Sequence, residues 1–253
     1  MLSVPLIKYV IMAALRDKLM FAMAIVLIVS ASLAVFLGSA AIVEKSLFTL
    51  VFAGAGSRML LVLGVVLFVV FFIRRAFESK EIEYLLSRPV GRLSIIFSFA
   101  LAFCILSVFM GLGVGACVFA VAPQLFGSGH IIWVISIMLE AMIMANTALF
   151  FSMYISSASS ATMATLGVYV LGRLMGQLLG IVDSEMVDSY GFYAMAMQMV
   201  SVITPRLDLL GQSSWLIYGA QEGYSFVYAL CHGAFFSAIV LVAASLDFVR
   251  REF

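Results

Sequence analysis

"LMFAMAIVLIVSASLAVFLGSAAIV", residues 19–43, runs for 25 positions without an ionisable side chain. A helix rises about 1.5 Å per residue and the bilayer's hydrocarbon core is about 30 Å thick, so about 20 apolar residues cross it. The run is long enough to span, and too long for the apolar core of a cleavable signal peptide. The rest of the chain has the same character. Of 253 residues, 65% are hydrophobic and 11% charged, against about 25% charged in ordinary soluble domains. A soluble fold of this size cannot cover its surface with so few polar side chains. The composition therefore defines an integral membrane protein.

Working outward, further apolar runs lie at about 53–73, 94–121, 131–153, 161–182 and 224–246. "APQLFGSGH", residues 122–130, supplies the proline and glycine turn chemistry that divides the long apolar stretch after Arg92, and "YISSASS", residues 154–160, reads as a polar turn. The expectation is a single all-α transmembrane domain over 1–253 with six spanning helices. Lys8, Arg16, Lys18, Arg74, Arg75, Lys80, Arg88, Arg92, Arg250 and Arg251 are ten of the fourteen basic residues, and all fall on one side of this plan. The bias of Lys and Arg towards the cytoplasm predicts that both termini are cytoplasmic.

Two segments outside the spans stand out. Near the N-terminus, Leu6, Ile7, Val10, Ile11, Ala14 and Leu15 share a helical face, which suits an interfacial helix. Between the last two spans, residues 183–223 form an extended outer loop carrying Asp183, Glu185, Asp188, Asp208 and Glu222 but a single base, Arg206. Its apolar portion "FYAMAMQMVSVIT" is 13 residues long, too short to cross and suited to dipping into the outer leaflet or packing on a second copy.

The most charged stretch is "FESKEIEYLLSRPVGR", residues 77–92. Ile82, Leu85, Leu86 and Pro89 recur at helical spacing, with Glu78, Glu81, Lys80 and Arg88 elsewhere around the helix. Pro89 ends the helix and Gly91 permits the turn that follows. A short amphipathic helix of this kind, over 77–90, suits docking into a groove on a soluble partner. Solvated charge that merely orients the chain accounts for Arg74 and Arg75, but not for a helix-periodic apolar face.

The longer stretch "RRAFESKEIEYLLSRPVGRLSIIFSFALAF" resembles the cytoplasmic loop of ABC-2-type transporter permeases, whose members often read close to E…G-T-L-E-L-L-L-S-R-P-V-S-R before the third span. The matching residues are Glu78, Ile82, Glu83, Leu85, Leu86, Ser87, Arg88, Pro89, Val90 and Arg92. Gly91 replaces the usual serine and "SKEI" the usual "SGTL". The six-span plan, the N-terminal helix, the outer loop and the basic tail are similar too. The resemblance implies a coupling helix, with Glu78, Glu81, Ile82, Leu85, Leu86, Arg88 and Pro89 meeting an ATP-binding cassette subunit. It implies a homodimeric exporter in the cytoplasmic (inner) membrane of a bacterium. ATP and Mg²⁺ would be bound by the partner subunit, with no cofactor in this chain. Nucleic acid is not an expected partner. The alternative is a channel or secondary transporter that works without an ATPase.

Other chemistry is poorly represented. The chain has no GxxxxGK[ST] and no Gly-Lys pair, so nucleotide hydrolysis is not expected of it. "GAGS" and "GLGVG" read as small-residue helix packing. His130 and His232 stand in no HExxH or nucleophile setting, so a membrane hydrolase is not expected. Cys104, Cys117 and Cys231 lie in apolar runs without metal or redox spacing. Met195, Met197 and Met199 alternate, so on a helix they diverge rather than converge on copper, and no metal is expected. Glu140 and Arg173 remain. Helical rise places Glu140 roughly 14 Å from the outer end of its span and Arg173 roughly 18 Å from the inner end of the next. They are expected to form an ion pair joining the two spans, with lining of a substrate path as the other reading.

Overall fold

Asp17 marks where the chain turns into the membrane. Its extended backbone ends helix α1 (Val4–Arg16), and its side chain accepts the Leu19 N–H at 2.8 Å, capping helix α2 (Lys18–Ala40). Pro5 is tolerated because it lies in the first turn of α1, where its missing N–H has no helical partner. In the computed structural model, residues 2–40, 44–87, 91–182, 191–219 and 226–250 are described. Among them there are no strands. The remaining helices are α3 (Lys45–Glu78), α4 (Glu81–Leu86), α5 (Arg92–Val121), α6 (Ser128–Tyr154), α7 (Ala158–Val182), α8 (Gly191–Ile203), α9 (Trp215–Tyr218) and α10 (Phe226–Arg250).

Six of these, α2, α3, α5, α6, α7 and α10, are long and apolar enough to cross a membrane. The chain is an all-α, multi-pass membrane protein. Helix α3 has 34 residues, about 51 Å at helical rise, and so extends well beyond the hydrocarbon core. Helices α3, α5 and α6 form the centre, while α2, α7 and α10 lie outside and have few buried side chains. Phe21, Ile28 and Phe36 on α2 are outward-facing, which suits lipid and would be costly in water.

The central helices approach closely because one face of α5 is small. A Cβ at Gly111 would lie 2.6 Å from Met138 Cγ, and one at Gly115 would lie 2.7 Å from Val134 Cγ2. These are the glycines of "GLGVG", acting as packing residues. At the other end of the bundle, Phe72 meets Phe99 and Phe103 edge-on, with centroids 6.1 and 5.8 Å apart. Helix α1 packs against α5 through buried Leu6, Val10 and Ala14, while Leu15 points away.

The segment over 77–90 differs from its sequence reading in its bounds. Phe77 and Glu78 finish α3, and a break at Ser79 and Lys80 (φ +60°) precedes the six-residue α4. Arg88 and Pro89 lie outside the described residues, as does 183–190 of the outer loop.

Candidate functional site

The chain places ionisable groups at mid-depth in one wedge, between α3, α6, α7 and the connection that follows α8. Glu140 is fully buried on α6, about 18 Å from Ser128 at helical rise. Arg58 of α3 and Arg173 of α7 lie within its field, and the Tyr169 hydroxyl of α7 stands beside it. Neither carboxylate oxygen has a hydrogen bond of good geometry. The expected Glu140–Arg173 ion pair does not form. Arg173 Nη1 instead donates to the carbonyls of Leu207 and Leu210, at 2.5 and 2.6 Å. Arg58 Nη1 donates to the carbonyl of Gly211.

Those carbonyls belong to a short 3-10 turn (Leu207–Leu209) and the irregular backbone after it, which re-enter the bundle from the 183–223 connection. Such backbone is tolerated at membrane depth only where protein satisfies its polar groups. Two arginines do so here, and their side chains offer several donors in a planar fork. Small residues create the room: a Cβ at Gly172 would lie 2.6 Å from the Pro205 carbonyl oxygen, and one at Gly176 would lie 2.7 Å from Asp208 Oδ2. Gly211 has φ +58°, and a Cβ there would lie 2.9 Å from Glu140 Oε2. Arg206 closes the segment locally, donating from Nε and Nη2 to the Asp208 carboxylate at 3.0 and 2.8 Å. That pair holds the Arg206 guanidinium above its ordinary pKa. Downstream, α9 packs on α6 and α3, with Trp215 and Leu216 buried.

Glu140 and Arg173 are thus brought to one site, but joined through the re-entrant segment rather than directly. Arg58, Tyr169 and the three carbonyls were not foreseen. The sequence holds a trace of them: Arg58 interrupts an apolar run, and "TPRLDLLGQ" carries proline and glycine turn chemistry inside the loop. Among the described residues no three His, Cys, Asp or Glu side chains gather to hold a metal. Met195 and Met199 are exposed on α8. Cys104, Cys117 and Cys231 are free thiols.

At the opposite end of the bundle, α4 turns its apolar face inward. Ile82 is 1% exposed and belongs to the chain's own core, and Leu85 and Leu86 pack against that core half-buried. A groove on another protein could not reach Ile82 in this arrangement, which departs from the docking face read in the sequence. Burial against α3 is the stronger attraction for an isoleucine already next to it. The outward surface is Glu78, Glu81, Glu83 and Tyr84, the last 61% exposed. Tyr9 of α1 donates to Glu81 Oε2 at 3.1 Å. Burial and that bond hold its phenol above the ordinary pKa. Asp17 pairs with Arg75 at 3.5 Å, tying the α1–α2 corner to α3, and Arg92 donates to the Val249 carbonyl at 2.9 Å, tying α5 to α10.

The fold and site together define a polytopic helical membrane protein with a latched re-entrant segment at one end and a charged helix at the other. No protein-family model matches the chain, and no curated protein matches it significantly.

Proposed function

We propose that the chain is the permease subunit of an ABC-2-type ABC transporter, an exporter driven by ATP hydrolysed on a separate ATP-binding subunit and working as a homodimer. The observation that carries this reading is α4. It is a short charged helix between two spans, with Tyr84, Glu81 and Glu83 outward and Ile82 anchored in the bundle. An anchored helix transmits force. A partner that pulls on the outward surface moves α3 and α5 with it, because well-packed cores deform little. Closure of two ATP-binding subunits would so reach the spans, and release of the 205–211 segment would open the far side. The cargo we infer is apolar or amphipathic. The hollow between α5 and α10, ≈ 730 Å³, is lined by Phe97, Leu101, Cys104, Asn146 and Leu241 among others, and is almost wholly apolar.

A second reading, a secondary transporter without ATPase, draws support from buried Glu140 between two arginines, since intramembrane ionisable groups often serve ion coupling. Purification from native membranes under mild detergent separates the two. Stoichiometric recovery of a nucleotide-binding subunit with ATPase activity supports the first reading. Transport by the chain alone in proteoliposomes, following an ion gradient and indifferent to ATP, overturns it.

A further inference from the structure

The wedge around Glu140 holds most of the unpaired buried polarity among the described residues. Among the described residues, ten buried side-chain nitrogen and oxygen atoms make no hydrogen bond of good geometry within the chain, although the Tyr169 hydroxyl stands within reach of Glu140. Seven belong to this wedge: Nδ1 and Nε2 of His130, Nε1 of Trp133, Oγ of Ser136, both carboxylate oxygens of Glu140, and Nε of Arg58. Four of the five residues lie on α6 at positions 130, 133, 136 and 140, within an arc of about 120° at 100° per residue. Their surroundings are consistent. A Cβ at Gly54 of α3 would lie 3.5 Å from Trp133 Cζ2 and would also meet Leu216 of α9, while Gly129 faces the backbone of Trp215 and Gly219. The stripe therefore runs between α3 and the re-entrant segment, from the outer end of α6 down to Glu140.

Buried polar atoms in proteins are almost always paired, with the chain or with ordered water. One stray orphan has many explanations, but seven in a row share one. Water enters where a site is polar and offers several partners at hydrogen-bond spacing. We infer that this stripe is a hydrated track, binding a file of water molecules from His130 at the mouth to Glu140 and Arg58 at the base. Its function follows from what stands at the base. Lifting the 205–211 segment breaks the bonds from Arg58 and Arg173 to the carbonyls of Gly211, Leu207 and Leu210. In a dry site those donors and carbonyls would be stranded. With water already at the base, each broken bond is replaced by one to water, and the latch becomes reversible. The charged and titratable groups facing Glu140 are Arg58 from α3, Tyr169 and Arg173 from α7, and no carboxylate, so the carboxyl keeps its countercharges while hydrated. This inference does not depend on an ATP-driven partner.

The test uses the full chain in nanodiscs, with Cys104, Cys117 and Cys231 replaced by alanine. Ser136→Cys and Ala145→Cys place single thiols at two positions on α6 that are both fully buried. A small water-soluble methanethiosulfonate should modify the thiol at 136 roughly tenfold or more faster than that at 145, because only a hydrated thiol forms thiolate readily. Equal slow rates overturn the track. Where either variant fails to fold, X-ray radiolytic footprinting of the unaltered chain decides. Hydroxyl radicals formed from bound water should oxidise Trp133 although it is fully buried, at a dose that leaves buried Phe99 and Phe103 intact. Trp133 as inert as those two overturns the inference.

Discussion

Arg173 does more than balance a charge: it supplies hydrogen bonds to two carbonyls at the start and the end of a single 3-10 turn. Arg173→Gln removes that fork and strands the Leu210 carbonyl, which costs about 1–3 kcal/mol, while the Leu207 carbonyl keeps the Leu210 N–H at 3.0 Å. Arg58→Gln should behave similarly at Gly211. Glu140→Gln keeps the size of the side chain but removes, among the described residues, the carboxylate that faces both arginines, and should lower stability as well. The three sites share one network, so thermal unfolding in detergent should show Glu140→Gln/Arg173→Gln less damaged than the sum of its single variants. Strict additivity would contradict the shared network. Gly211→Ala is a second test. It forces a Cβ onto a positive-φ residue against Glu140 Oε2, and should lower stability by about 1–3 kcal/mol. An unchanged melting temperature would mean the segment is not held there.

At the scale of elements, α4 separates packing from docking. Ile82→Ala should cost about 2–5 kcal/mol of fold stability, since the side chain is buried in the core. Tyr84→Ala should cost less stability than Ile82→Ala yet weaken association with an ATP-binding subunit. If both variants affect only stability, α4 is a structural corner and no docking element. The periodicity of Ile82, Leu85 and Leu86 was legible in the sequence, but which surface that face meets was not. A short apolar stripe reads the same whether it packs on its own chain or on another. The spans were legible for a firmer reason, because length and hydropathy alone decide them. Their ends were less so: the bilayer limits how much of α3 is apolar, not how far the helix runs, and α3 continues through Arg74 and Arg75 to Glu78. The re-entrant segment was hidden because its partners are distant in sequence. Arg173 meets carbonyls 34 and 37 positions away and Arg58 one 153 positions away. Spacing along the chain carries no trace of such contacts.

For the whole molecule, the distribution of Lys and Arg predicts orientation. Single cysteines at Lys80 and Arg250 should label with an impermeant maleimide only from the cytoplasm, and one at Tyr218, 83% exposed at the opposite end, only from outside. Labelling of 218 from the cytoplasm would invert the chain and place α4 where no ATPase could meet it.

The central claim is that α4 is where an ATP-binding subunit takes hold, and a photo-cross-link tests it most directly. p-Benzoylphenylalanine in place of Tyr84, irradiated in native membranes, should yield an adduct with an ATP-binding subunit identified by mass spectrometry, and the same probe in place of Tyr218 should yield none. Irradiation at 84 that yields only lipid or chain-to-itself products, with the probe-bearing chain folded and inserted, would show that no ATP-binding subunit docks at α4.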